Sequence, residues 1–172
     1  EDFYKEHQAV FEGMEVELVS DQVMKEISDT MTPQGVLALV RMLEYSLEDL
    51  LQQENPLLLV LENLQDPGNL GTILRTGEGA GINGIIMSRE TVDIYNPKVT
   101  RSTMGSIFRV PFVYVDDLFE VIKMMKDRNI ITYAAHLNGT DYTRESYTLG
   151  TAFLIGNEGN GLTDELTDNA QK

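Results

Sequence analysis

From residue 57 onward, short continuous apolar runs alternate with stretches whose apolar residues recur at helical spacing. Residues 57–61 have the length of a buried strand, and Asn55-Pro56 marks a boundary just ahead of them. Residues 70–79 read as a helix with Leu70, Ile73 and Leu74 apolar, 85–87 as a strand, and 97–104 as a short helix. A strand over 112–115 follows, then an amphipathic helix over 118–128 that turns Leu118, Val121, Ile122 and Met125 inward. Residues 130–135 and 152–155 read as strands, and Leu162 opens a last helix. Strands alternating with helices predict an α/β fold: a parallel sheet with helices on both faces.

The pattern before Pro56 is less regular. Val16-Glu17-Leu18-Val19 reads as a short strand, followed by a helix from Ser20 or Asp21, with Ser20 as N-cap and Val23, Met24 and Ile27 on one face. Thr32-Pro33-Gln34-Gly35 turns the chain into a buried-strand run over 36–40. Residues 44–55 are acidic and Gln-rich, with Leu47, Leu50 and Leu51 at helical spacing. They read as a linker ending in a short helix. The expected organisation is therefore the C-terminal part of a small α/β module over 1–41, a linker over 42–55 and the main domain over 56–172.

A chain of 172 residues is sized for one domain, or one with part of a second, and can build a core without staples. It has no cysteine, which excludes a disulfide framework and Cys-ligated zinc or iron–sulfur sites and is compatible with the cytoplasm. Two histidines, His7 and His136, lie far apart, so no metal site is expected. No apolar run approaches the roughly 20 residues of a membrane span. The acidic, polar N-terminus is unlike a secretory leader. It has no initiator Met, so the start is expected upstream.

Thirteen Lys and Arg face 28 Asp and Glu, a net charge of −15 that by itself argues against a nucleic-acid partner. Distribution changes that picture. Residues 1–54 hold 13 acids and 3 bases, whereas residues 67–115 hold five bases against Glu78, Glu90 and Asp93. That middle stretch is where a polyanion would be welcome.

Two loops follow strands directly, where open parallel sheets bind ligands. The first is Glu62-Asn63-Leu64-Gln65-Asp66-Pro67-Gly68-Asn69-Leu70-Gly71, with Asn69 as a candidate helix cap and Arg75 about one and two-thirds turns further on. The second is Ile155-Gly156-Asn157-Glu158-Gly159-Asn160-Gly161, whose glycines permit close backbone approach to a ligand. A third glycine cluster, Gly79-Ala80-Gly81-Ile82-Asn83-Gly84, matches the dinucleotide-binding spacing but leaves a helix and enters a strand. That is the reverse of the required context. Lys98, Arg101 and Arg109 form a candidate phosphate-contacting strip. His136, at a strand end, is either a hydrogen-bond donor to a ligand or a structural histidine.

Taken in order, these loops resemble the SpoU branch of the SPOUT methyltransferases, TrmH-like enzymes that methylate ribose 2′-hydroxyls in RNA. The likeness rests on Asn63 with Asp66-Pro67-Gly68-Asn69-Leu70-Gly71-Thr72-Ile73-Leu74-Arg75 and on Ile155-Gly156-Asn157-Glu158-Gly159-Asn160-Gly161-Leu162. Asn96-Pro97-Lys98 and Ser102-Thr103-Met104-Gly105-Ser106 also resemble the family, and the likeness covers about residues 55–170. Residues 1–41 look like the end of the small RNA-reading domain that many members carry in front. The resemblance implies an α/β-knot fold whose knot-forming third motif, with its serine, is absent here. The chain is therefore expected to be partial at both ends and, by itself, poor at holding cofactor or turning over.

The resemblance further implies S-adenosylmethionine as cofactor, no metal, a homodimer, and an RNA substrate, ribosomal RNA ahead of transfer RNA. It assigns Arg75 the 2′-hydroxyl proton. Arginine is normally protonated, so Arg75 either acts as a base in unusual surroundings or stabilises the developing alkoxide. Asn69 would position Arg75 or the ribose, and Glu158 would orient the second loop or face the sulfonium. Ala135, His136 and Leu137, with Ile155, Gly156, Asn157 and Gly159, would hold the adenosine. Two other classes remain open on sequence grounds: a non-enzymatic RNA-binding protein on this scaffold, and an α/β protein that binds a small molecule without RNA.

Overall fold

The computed structural model describes residues 2–137 and 139–172. The chain separates into two units, Glu1–Met42 and Leu43–Lys172.

The first unit carries two short helices, α1 (Asp2–Glu6) and α2 (Asp21–Ile27), with a 3-10 turn over Gln8–Phe11 between them. Ser20 caps α2 as expected, its hydroxyl accepting from the Val23 N–H. The two strands expected over 16–19 and 36–40 do not form. Both stretches are irregular, and Leu18 and Leu39 are 61% and 95% exposed. A strand needs a neighbour for its N–H and C=O groups, and none of the described residues of this unit supplies one.

The second unit is built on five parallel strands: β1 (Leu57–Leu61), β2 (Gly84–Ser88), β3 (Phe112–Val115), β4 (Ile131–Ala134) and β5 (Thr151–Ile155), in the order β3-β2-β1-β5-β4. Five helices accompany them: α3 (Leu47–Leu51), α4 (Pro67–Ala80), α5 (Pro97–Ser102), α6 (Leu118–Asp127) and α7 (Asp164–Asn169). The sheet buries apolar side chains on both faces, as a parallel sheet must. On one face α3, α6 and α7 pack Leu50, Leu51, Val121, Met125 and Leu166 against Leu58, Val60 and Leu154. On the other, α4 and α5 pack Leu70, Leu74 and Val99 against Leu61, Ile85 and Met87. Segment 42–55, read above as a linker, thus contributes to the core. Leu50 and Leu51 are the residues of α3 that helical spacing turns inward.

β4 is an edge strand, and its outer side is partly covered. The Gln171 and Lys172 N–H groups donate to the Thr132 carbonyl at 3.2 and 3.1 Å, and the Ala134 N–H donates to the Lys172 carbonyl at 2.8 Å.

Register decides where the loops emerge. Leu61 pairs with Met87 on one side and Ile155 on the other, so β1 and β5 end level with each other. The helices that follow them, α4 and α7, go to opposite faces. The C-terminal ends of β1 and β5 are therefore the point at which the sheet's winding reverses, where doubly wound sheets open a crevice.

Candidate active site

The β1–α4 loop is set by local chemistry. Asn63 adopts a left-handed backbone conformation (φ 55°), and Ser88 at the end of β2 holds it in place. The Ser88 hydroxyl accepts from the Asn63 N–H and donates to its side-chain oxygen, both at 2.9 Å. α4 then begins at Pro67, the first-turn position proline favours, and its cap is Asp66, not Asn69. The Asp66 carboxylate accepts from the Asn69 N–H at 2.8 Å, which leaves the Asn69 side chain free for other work.

The β5–α7 loop is a closed turn. Asn157 and Gly161 exchange two backbone hydrogen bonds of 3.0 and 2.8 Å, and the Asn157 side-chain oxygen accepts from the Gly159 and Asn160 N–H groups. Gly156 is required by close approach: a Cβ there would lie 2.0 Å from the Gly161 carbonyl carbon. Thr163 caps α7, and both its N–H (2.7 Å) and its hydroxyl (2.8 Å) donate to the buried carboxylate of Glu62 at the end of β1.

The two loops meet through Glu158. Its carboxylate accepts from the Asp66 N–H at 2.9 Å, the Gln65 N–H at 3.1 Å and the Asn69 side-chain amide at 3.2 Å. Asn157 adds a bond from its amide to the Asn63 carbonyl at 2.8 Å. Burial pushes the Glu158 carboxyl up, but the N–H groups of Asp66, Glu158 itself and Gln65, with the Asn69 amide, outweigh it and hold it below the ordinary carboxylate value. Asn69 and Glu158 are thus joined directly, and neither is spent on a helix cap.

Arg75 is exposed, about one and two-thirds turns beyond that junction on α4, and makes no hydrogen bond or ion pair with any described residue. Lys98 and Arg101 on α5 are likewise exposed, with unpaired side-chain charges. Arg109 differs. Its guanidinium pairs with Glu78 through Nε and, at 3.0 Å, Nη2, so it is not a free phosphate contact. Arg109 and the Ser106 hydroxyl, which donates at 2.6 Å, hold the Glu78 carboxyl down at about 2.

A cavity of about 830 Å³ opens at the C-terminal ends of β4 and β5. Ala135, His136 and Leu137 form part of its wall. Its apolar side is a cluster of Tyr133, Tyr147 and Phe153, with ring centroids 5.0 to 5.7 Å apart. The second loop reaches this wall only at Gly161. Ile155, Gly156, Asn157 and Gly159, expected beside the adenosine, do not line this cavity, and the Asn157 amide reaches the β1–α4 loop instead. Among the described residues, no group of three His, Cys, Asp or Glu could hold a metal ion, and no helix is long and apolar enough to cross a membrane.

Residues 56–172 match the family model of the SpoU rRNA methylase family, and residues 6–46 that of the RNA 2′-O ribose methyltransferase substrate-binding family. The chain belongs to the SpoU rRNA methylase family. Among curated SpoU relatives, a Bacillus subtilis 23S rRNA (guanosine(2553)-2′-O)-methyltransferase is 31% identical over 91% of this chain and 61% of its own length. Human mitochondrial rRNA methyltransferase 3 is 40% identical over 59% of this chain and 25% of its own. An AdoMet-bound rRNA methyltransferase from Sinorhizobium meliloti superposes with a TM-score of 0.86 at 34% identity, over 97% of this chain and 66% of that one. The chain thus spans about 60% or less of the curated relatives it matches.

Several residues that shape this SpoU site were not singled out from sequence. Asp66 followed by Pro67 is a readable cap, since a capping side chain before an N1 proline marks a helix start. Glu62, Ser88 and Thr163 carried no such mark, because each acts through partners far away in sequence.

Proposed function

We propose that this chain is the larger part of an S-adenosylmethionine-dependent enzyme that methylates a ribose 2′-hydroxyl in RNA, ribosomal RNA ahead of transfer RNA, in the cytoplasm. Residues 1–41 belong on this reading to a domain that helps recognise the RNA, and the working enzyme is a homodimer. The observation that carries the proposal is Arg75, an exposed and unpaired cation on α4 shortly beyond Asn69, itself bonded to Glu158 from the second loop. The rRNA methyltransferases among the relatives, and the AdoMet named for the Sinorhizobium meliloti neighbour, support the substrate and cofactor classes.

The residues present fit the cofactor. An 830 Å³ cavity is within the usual range for small-molecule sites, and its aromatic wall with exposed strand-end backbone suits an adenosine. Ala135, His136, Leu137 and the rings of Tyr133 and Phe153 would hold it. The cofactor supplies a methyl group on a positively charged sulfur, a leaving group that needs no metal.

The protein's task is then to prepare the 2′-oxygen. Of the two roles open to Arg75, its exposure favours the electrostatic one: holding the adjoining phosphate and stabilising negative charge as it develops on the oxygen. Glu158 fixes Asn69, and Asn69 orients the ribose or the guanidinium. Lys98 and Arg101 add backbone contacts, which carry affinity rather than base identity.

The test is methyl transfer to ribosomal RNA by the full-length protein, with the product located by nucleoside analysis. R75A should lower kcat by roughly 100-fold or more while cofactor Kd stays within about twofold. Equal losses in rate and cofactor affinity would overturn the role given to Arg75, and RNA binding without methyl transfer would favour a non-enzymatic protein. Sedimentation of the full-length protein as a monomer would remove the dimer.

A further inference from the structure

Gly71, Arg75 and Glu78 lie on one flank of α4, at positions i, i+4 and i+7. This flank faces α5 and the 3-10 turn over Ser106–Phe108. A Cβ at Gly71 would lie 1.7 Å from the Ser102 hydroxyl oxygen, and the Glu78 carboxylate reaches Ser106 and Arg109. Arg75 and Glu78 are three residues apart, neighbours on the helix surface and of opposite charge. Such a pair ordinarily meets. Here it does not, because both Glu78 oxygens are taken: one by Arg109 Nε, the other by Arg109 Nη2 at 3.0 Å and the Ser106 hydroxyl at 2.6 Å.

We infer that Arg109 is a positioning residue for Arg75: by occupying the Glu78 carboxylate it keeps the one acid within a turn of Arg75 from capturing the guanidinium, which stays available to an RNA phosphate. This rests on the role proposed above for Arg75. It also separates Arg109 from Lys98 and Arg101. Those two meet the polyanion directly, while Arg109 neutralises an acid that would otherwise repel it. Sequence reasoning groups the three cations together because the Glu78–Arg109 pairing spans 31 residues.

The inference makes Glu78 harmful only when Arg109 is missing, which a double-variant experiment in the full-length protein reads directly. R109M should lower kcat/KM for RNA by roughly two- to fivefold, the worth of one surface ion pair, with cofactor Kd unchanged. R109K, which keeps the charge, should retain most of the activity. E78Q alone should stay within about twofold of the unmodified protein. R109M/E78Q should recover to the E78Q level, because the acid that would capture Arg75 is gone.

Full activity in R109M, or a double variant no better than R109M, overturns the inference. So does a salt slope of RNA binding that falls by about one in R109M and stays low in R109M/E78Q, since Arg109 would then touch a phosphate itself. Thermal midpoints are measured on every variant, and R109Q replaces R109M should the latter not fold. The two levels of the argument fail separately. Activity surviving R75A removes the role of Arg75, whereas an inactive R75A with an unrescued R109M removes only that of Arg109.

Discussion

Asn69 and Glu158, 89 residues apart in sequence, are joined by a 3.2 Å hydrogen bond from the Asn69 side-chain amide to the Glu158 carboxylate. That bond ties the loop after β1 to the loop after β5 at the place where the sheet's winding reverses. It depends on Asp66 capping α4, which frees the Asn69 side chain, and on the closed turn after β5, which aims Glu158 across the crevice.

E158A removes the acceptor of four donors at once, three of them from the β1–α4 segment and the fourth the neighbouring Asn157 amide at 3.5 Å. Hydrogen bonds to a charged group are worth about 1.5–3 kcal/mol, and openness to water places this one at the low end. We expect kcat for methyl transfer to fall about tenfold in the full-length protein, with E158Q intermediate. The pH dependence follows from the direction of the shift. The folded state holds this carboxyl below its ordinary value, so its contribution is present above the ordinary carboxylate range and is lost as pH falls through the lowered value. Unfolding midpoints of the parent and E158Q should therefore converge below about pH 4. Parallel curves would show that Glu158 is not held this way.

G156A addresses the closed turn itself. The new methyl would lie 2.0 Å from the Gly161 carbonyl carbon and 2.1 Å from the Leu162 nitrogen, both backbone atoms that cannot swing aside. The turn must open, which costs about 1–3 kcal/mol as overpacking and carries Glu158 away from Asn69. Urea unfolding should register the loss, and G156A should lose activity together with E158A. A neutral G156A would show that the turn tolerates another path.

The apolar runs made most of the second unit readable in advance. Residues 57–61 and 112–115 are strands with the expected limits, and Leu118, Val121, Ile122 and Met125 do face the core. The same reasoning failed at 16–19 and 36–40, where apolar composition has no described strand to pair with. It also placed Leu50 and Leu51 in a linker, since helical spacing reveals an apolar face but not what covers it. At the site, Asn69, Arg75 and Glu158 could be singled out because the loops and the helix that carry them follow strand ends directly. The commitment of Arg109 to Glu78, and the turning of Asn157 toward Asn63, were not. Both depend on partners tens of residues away that only the register of the sheet brings close.

Tyr114 on β3 bridges the segment between β2 and α5. Its hydroxyl donates to the Val92 carbonyl at 2.8 Å and accepts from the Ile94 N–H at 2.9 Å. Burial pushes this phenol up to about 12, only partly opposed by the bond from Ile94. A phenol that ionises near pH 10 when unfolded favours the unfolded chain above that pH. The contribution of Tyr114 is therefore complete below about pH 10 and is lost as pH rises toward 12. Ultraviolet titration should show a late component near pH 12, above that of Tyr147, whose phenol burial also raises, and Y114F should remove it.

The staple between Glu62 and Thr163 makes the sharpest stability prediction. Thr163 Oγ1 accepts from the Leu166 N–H at 3.2 Å, capping α7, and donates to Glu62 at 2.8 Å while the Thr163 N–H donates at 2.7 Å. Valine in its place keeps shape and the backbone bond but removes both hydroxyl interactions. The lost cap costs about 1 kcal/mol, and an acceptor of the buried Glu62 left unpaired adds about 1–3 kcal/mol. T163V should lower the stability of the second unit by about 2–4 kcal/mol in urea unfolding. T163S, with the same hydroxyl, should stay within about 1 kcal/mol of the parent. In E62Q the carboxylate is absent, so T163V should cost measurably less than in the parent, a coupling a double-variant cycle reads directly. Strict additivity of the two substitutions would show that the two residues stabilise the loop independently.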